Sequence, residues 1–150
     1  MPIHEKTILL VEDNDDDAEL AVRAFQRAKV TNLLVRARDG EDALEYLFAR
    51  GKYAGRDVHQ LPAVMLLDIN MPKIGGLEVL KAIRADGRTK HLPVVILTSS
   101  NEDNDRASAY RHFANSYVLK PTDYDEFVVA ASQLGRYWMV LNAPPPRMTS

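Results

Sequence analysis

TILLVEDNDDD, residues 7–17, joins a short apolar run to five acids: Glu12, Asp13, Asp15, Asp16 and Asp17. An architecture follows from what stands on either side of that junction. Residues 7–11 are apolar without alternation, which suits a strand buried on both faces. After the acids, Ala18, Ala21, Val22, Phe25 and Ala28 recur at helical spacing. Acids at the start of such a helix are favoured by its dipole. A both-faces-apolar strand followed by an amphipathic helix is the repeating unit of a parallel α/β sheet.

The unit recurs along the chain. LLVRA (33–37) reads as a second strand, and Asp39 can cap a helix burying Ala43, Leu44 and Leu47. AVMLL (63–67) is a third strand, and Leu77, Leu80, Ala82 and Ile83 mark the helix after the loop NMPKIGG. PVVILT (93–98) is a fourth strand. Residues 101–112 have helical propensity but few apolar positions beyond Ala107, Ala109 and Tyr110, so that helix should be weakly anchored. SYVL (116–119) is a fifth strand, and Thr122 or Asp123 can cap a last helix running to about Leu141. The connection 49–60 is long for a compact domain. The expected fold is therefore α/β: a doubly wound, five-stranded parallel sheet with helices on both faces. Residues 1–6 read as a lead, 7–141 as the one domain, and 142–150 as a proline-rich tail that cannot continue a helix.

Bulk properties narrow the function. At 150 residues, 46% hydrophobic and 27% charged, the chain is an ordinary globular domain. A net charge of −2 gives no general reason to expect DNA or anionic membranes as partners. The absence of cysteine removes disulfides, thiolate zinc sites and cysteine nucleophiles. No apolar run approaches the roughly 20 residues of a membrane span, and MPIHEKT lacks a secretory core, so the expected compartment is the cytoplasm. His4, His59, His91 and His112 are scattered without ligand spacing and read as surface residues.

Ligands of doubly wound sheets bind beyond the carboxyl ends of the strands. Glu12 and Asp13 follow the first strand, Asp68 the third, Thr98 ends the fourth with Ser99 and Ser100 after it, and Lys120 follows the fifth. Three crowded carboxylates repel one another, and a divalent cation relieves the repulsion. Oxygen-only donors suit magnesium better than zinc. A carboxylate can also attack phosphorus, and Asp68, at the centre of the sheet, is the expected nucleophile. Lys120 would supply positive charge and Thr98 a hydrogen bond to the phosphoryl group. A calcium loop starting at Asp13 fails, because its sixth and twelfth positions are Ala18 and Ala24. Asp15, Asp16 and Asp17 read as caps and charges of the first helix.

The ordered set VEDN, LLDINMP, LTS and YVLKP resembles the receiver domain of bacterial two-component response regulators, across about residues 7–141. That resemblance implies a flavodoxin-like (βα)5 sandwich. It also implies that Asp68 accepts phosphate from a histidine kinase phosphohistidine. Glu12, Asp13, Asp68 and the Asn70 carbonyl would hold Mg2+. Lys120 would pair with the acyl phosphate, Thr98 and Tyr117 would act as switch residues, and Pro121 would follow a position where the family often has a cis peptide. Phe113 replaces a frequent glycine, Ser99 a frequent alanine, and the 49–60 connection is longer than usual. EDNDDD, that connection and RYWMVLNAPPP are similar to the stand-alone regulators paired with bacterial phytochrome kinases. The expected function is a phosphoacceptor signalling switch rather than a turnover enzyme. The apolar stripe Phe127, Ala130, Ala131, Leu134, Tyr137, Trp138 and Leu141 suggests a homodimer through the last helix.

Two alternatives share this chemistry. A phosphatase working through an aspartyl phosphate typically has a second aspartate two residues after the nucleophile, where this chain has Asn70. A nucleotide- or flavin-binding module would need a phosphate cradle after the first strand, where EDNDDD stands instead.

Overall fold

A computed structural model of the protein describes residues 6–30 and 33–146. The reading of His4 as a surface residue, residues 1–5 of the lead and residues 147–150 of the tail lie outside the described residues.

Five strands form one sheet: β1 (Thr7–Val11), β2 (Leu33–Ala37), β3 (Val64–Leu67), β4 (Val94–Thr98) and β5 (Ser116–Leu119). Five helices alternate with them: α1 (Asp15–Arg27), α2 (Gly40–Leu47), α3 (Gly76–Ala85), α4 (Asp103–Arg111) and α5 (Tyr124–Arg136). All strand pairs are parallel and the order is β2-β1-β3-β4-β5. The winding therefore reverses between β1 and β3, and the crevice of such a sheet opens there.

The pleat sorts each strand onto two cores. Ile8, Leu10, Val64, Leu66, Val95 and Leu97 pack against α1 and α5 through Ala18, Ala21, Phe25, Phe127 and Ala131. Leu9, Val11, Met65, Leu67, Val94 and Ile96 pack against α2, α3 and α4 through Leu47, Val79, Leu80, Ile83 and Ala109. Burying each such aliphatic side chain contributes about 1.5–3 kcal/mol. The continuous apolar runs in the sequence are thus the two-sided burial of central parallel strands.

The differences from expectation have local causes. The third and fourth strands begin one residue late, at Val64 and Val94; before the fourth, Pro93 has no N–H to give the ladder. β5 is an edge strand and only half-buried, with Leu119 41% exposed, so it lacks the two-sided burial of its neighbours. α4 is shorter than 101–112 and buries only Ala109, as its poor apolar content requires. The last helix does reach Leu141, but its final turn, Tyr137–Leu141, is a π-turn. The connection 49–60 holds a short 3-10 turn at Gly51–Tyr53. None of the described peptide bonds is cis, the bond before Pro121 included. His59 and His91 are exposed, while His112 is half-buried.

Candidate functional site

The site begins with the register of the sheet. Val11 pairs with Leu67 and Leu67 with Ile96, so the residues that follow these strands emerge side by side. Carboxylate oxygens of Glu12, Asp13 and Asp68 all lie within 4.8 Å of one another. Glu12 and Asp68 are buried, at 3% and 6% exposure, while Asp13 is the more accessible of the three.

Lys120 closes the cluster from the end of β5. Its Nζ donates to Asp68 Oδ2 at 2.9 Å, to Asp17 Oδ2 at 3.1 Å, and to Glu12 Oε1. Three carboxylates therefore share one ammonium, and Asp13 lies beside two of them. Burial pushes the Glu12 carboxyl above its ordinary pKa, and the charge of Asp68 adds to this against the lowering effect of Lys120. Burial works against the Lys120 ammonium, but its hydrogen bonds to Glu12 and Asp68 and their charges outweigh it, and its pKa is raised. Glu12, Asp13 and Asp68 outnumber the one lysine at the site, and a divalent cation relieves such a surplus of negative charge. The oxygen-only donor set fits a hard divalent cation.

Two backbone features hold the acids in place. Glu12 N donates to Ala37 O at 3.1 Å, and Arg36 donates twice to Glu12 O, at 3.1 and 2.9 Å. Arg36 also pairs with Asp15 at 2.8 Å. Behind Asp68, Gly76 passes so close that a Cβ would sit 2.1 Å from Asp68 O and 2.8 Å from Ile69 Cα. Only glycine allows that approach. The Asn70 N–H donates to Asp68 Oδ1 at 3.2 Å.

Thr98 ends β4 beside this cluster and is fully buried, its Oγ1 accepting from Ser100 N at 3.3 Å. Ser99 is exposed. Tyr117 is half-buried and donates its hydroxyl to Ser100 O at 3.0 Å. Burial, chiefly, raises its phenol pKa. Ser100 Oγ donates to Asp105 at 2.6 Å, so one loop residue ties β4, β5 and α4 together.

The structure thus brings together Glu12, Asp13, Asp68 and Lys120, with Thr98 and Asn70 alongside and Tyr117 linked through Ser100. The expectation for Asp15, Asp16 and Asp17 needs correction. Asn14 is the cap, its side chain accepting from Asp17 N at 2.9 Å, and the three aspartates fill the first turn. Asp17 moreover reaches Lys120. Arg36 joins the site as a residue not expected there, although a lone arginine within the apolar run LLVRA signals a buried task.

The chain matches the response regulator receiver domain over residues 8–132. The probable methanogenesis regulatory protein FilR2 of Methanothrix harundinacea is 40% identical over 138 residues, spanning 92% of this chain and 86% of FilR2. The bacteriophytochrome response regulator RtBRR has a similar structure, with a TM-score of 0.76 and 45% identity over 95% of this chain and 85% of that one. The Mn(2+)-bound form of response regulator Rcp1, a Synechocystis protein, superposes with a TM-score of 0.83 at 30% identity, over 94% of this chain and 99% of that one. Fold, strand-end acids and sequence agree on one assignment: the chain belongs to the response regulator receiver domain family.

Proposed function

We propose that the protein is a magnesium-dependent phosphoacceptor switch that takes a phosphoryl group on Asp68 from a histidine kinase phosphohistidine. The observation that carries this reading is the Lys120 ammonium 2.9 Å from Asp68 Oδ2, within a cluster of carboxylates at the carboxyl ends of the strands. An Asp68 carboxylate oxygen attacks phosphorus. The P–N bond breaks, its electron pair stays on the imidazole nitrogen, and an acyl phosphate forms. Glu12, Asp13, Asp68 and the Asn70 carbonyl would hold Mg2+, which supplies charge neutralisation at the phosphoryl oxygens. Lys120 orients and neutralises the phosphoryl group from the opposite side.

Thr98 then donates its hydroxyl to the phosphoryl group and releases Ser100 N. Tyr117 follows through its bond to the Ser100 carbonyl. α4, with Ala109 as its one buried residue, is the element that moves at least cost. Asn70, two residues after Asp68, is an amide and cannot shuttle a proton, so the acyl phosphate persists as a signal and does not turn over rapidly. The donor we favour is a bacterial phytochrome kinase, supported by the likeness to RtBRR. The switch would work in the cytoplasm; no helix among the described residues is long and apolar enough to cross a membrane. Its output would be partner binding or a change of homodimer state through α5 and the π-turn, where Val140 and Leu141 are 68% and 59% exposed.

Incubation with acetyl phosphate should add one phosphoryl mass in the presence of magnesium and not after chelation. Asp68→Asn should abolish the gain. Full phosphorylation of that variant would refute the assignment of the nucleophile.

A further inference from the structure

Asp17 is the carboxylate at the site that this mechanism leaves without a role. It stands in the first turn of α1, and its Oδ2 lies 3.1 Å from Lys120 Nζ. An ammonium carries three protons. Glu12 Oε1, Asp68 Oδ2 and Asp17 Oδ2 take all three. Phosphorylation removes the charge of the Asp68 carboxylate, and the phosphoryl oxygens then meet two carboxylates, Glu12 and Asp17, that hold Lys120 protons.

The three partners are not equally easy to release. The Asp17 side chain is 49% exposed, against 4% for Glu12 and 8% for Asp68. A buried carboxylate that loses its cation keeps an uncompensated charge in a poorly solvated place. Asp17 would pass instead to water and to the positive end of the α1 dipole, which favours an acid in the first turn. Of the two carboxylates that keep their charge once Asp68 is phosphorylated, Asp17 is thus the cheaper to release.

We propose that Asp17 is a positioning residue acting through Lys120: it competes with the phosphoryl group of Asp68 for the ammonium protons, and so serves as an internal competitor of phosphate. The inference rests on the reading of Asp68 as phosphoacceptor. No bond is made to Asp17; Lys120 exchanges one anionic oxygen for another. Asp17 holds Lys120 over the site in the resting state and sets how tightly a phosphoryl group is held there.

Beryllofluoride with magnesium, which mimics a phosphoryl group on a carboxylate without a transfer step, measures this directly by NMR titration. Asp17→Asn removes the charge but keeps the shape and the first turn. It should tighten beryllofluoride binding threefold or more, and Asp17→Ala should do the same. Asp16→Asn removes the same charge from the same turn without touching Lys120, and should change the affinity by less than half as much. An unchanged or weakened affinity in Asp17→Asn, or an equal effect of Asp16→Asn, would overturn the proposal. Should the wild type bind no beryllofluoride and gain no phosphoryl mass, the reading of Asp68 falls and this inference with it. Should the wild type bind and Asp17→Asn match it, only the role of Asp17 falls.

Discussion

Phe113 shows how a single backbone angle can be traced. Its φ is 67°, in the left-handed region, and its side chain is 72% exposed. The position cannot relax, because Arg84 donates to the Phe113 carbonyl at 3.0 and 2.9 Å and also to Leu92 O at 2.7 Å and Asn115 Oδ1 at 3.0 Å. Left-handed backbone costs an L-residue about 1–2 kcal/mol, whereas glycine loses about 0.5–1 kcal/mol through unfolded-state entropy. Phe113→Gly should therefore stabilise the fold by roughly 0.5–1 kcal/mol, read as a higher urea midpoint at unchanged slope. The unusual residue was visible in the sequence; the angle that makes it costly was not. Likewise Asp68, Thr98 and Lys120 could be picked out because each directly ends an apolar strand. The partners of Asp17 and Arg36 were not legible in the sequence, since Lys120 and Glu12 lie 103 and 24 positions away.

At the scale of elements, the connection between α2 and β3 is ordered by contacts that composition does not announce. Arg56 stacks on Tyr46, 3.9 Å from the ring centroid, and donates to the Tyr46 and Gln60 carbonyls. Tyr53 packs edge-on to Tyr46 and donates to Asp42 at 2.9 Å. Asp42 also accepts from Arg38 N at 2.9 Å and pairs with Lys52 at 3.3 Å. Burial opposes its ionised form, but these donors outweigh burial and hold its pKa below the ordinary value. The folded pKa is depressed, so the unfolded chain binds the proton first. The stabilisation is present above about pH 4 and is lost as pH falls through the folded pKa. Asp42→Asn should lower stability near pH 7 and make little difference below about pH 3, as urea unfolding at the two pH values would show. The long linker was correctly placed by its turn formers, while its compactness depends on a ring and a guanidinium meeting across ten positions.

Across the whole molecule, the five helices run the same way relative to the sheet, and their charges follow. First turns carry Asp15–17, Glu41 and Asp42, Glu78, Asp103 and Asp105, and Asp125 and Glu126; last turns carry Arg27, Arg84, Arg111 and Arg136. Each pairing satisfies its own helix dipole. Because all helices begin at the carboxyl ends of the strands, the sum makes that end acidic and suited to a cation. Three of the exposed large apolar residues, Tyr137, Val140 and Leu141, share the closing π-turn, while Met139 is buried. If that turn is the dimer surface, Val140→Asp should shift the wild type from dimer to monomer in sedimentation and leave Asp68 phosphorylation intact. A monomeric wild type, phosphorylated or not, would end the dimer reading.

The number and order of the main elements, the two-sided burial of the central strands and the acids at their ends are all legible in the order of residues. Those features are local: periodicity, caps and breaks are written in neighbouring residues. The strand order, which seats Asp68 beside Glu12, and the sharing of one ammonium among Glu12, Asp17 and Asp68 emerge only once the chain has folded, a step that also decided the packing at Asp68. That packing is why Gly76 must be glycine. These depend on which distant backbones come within a few ångströms, and spacing along a chain does not encode that distance.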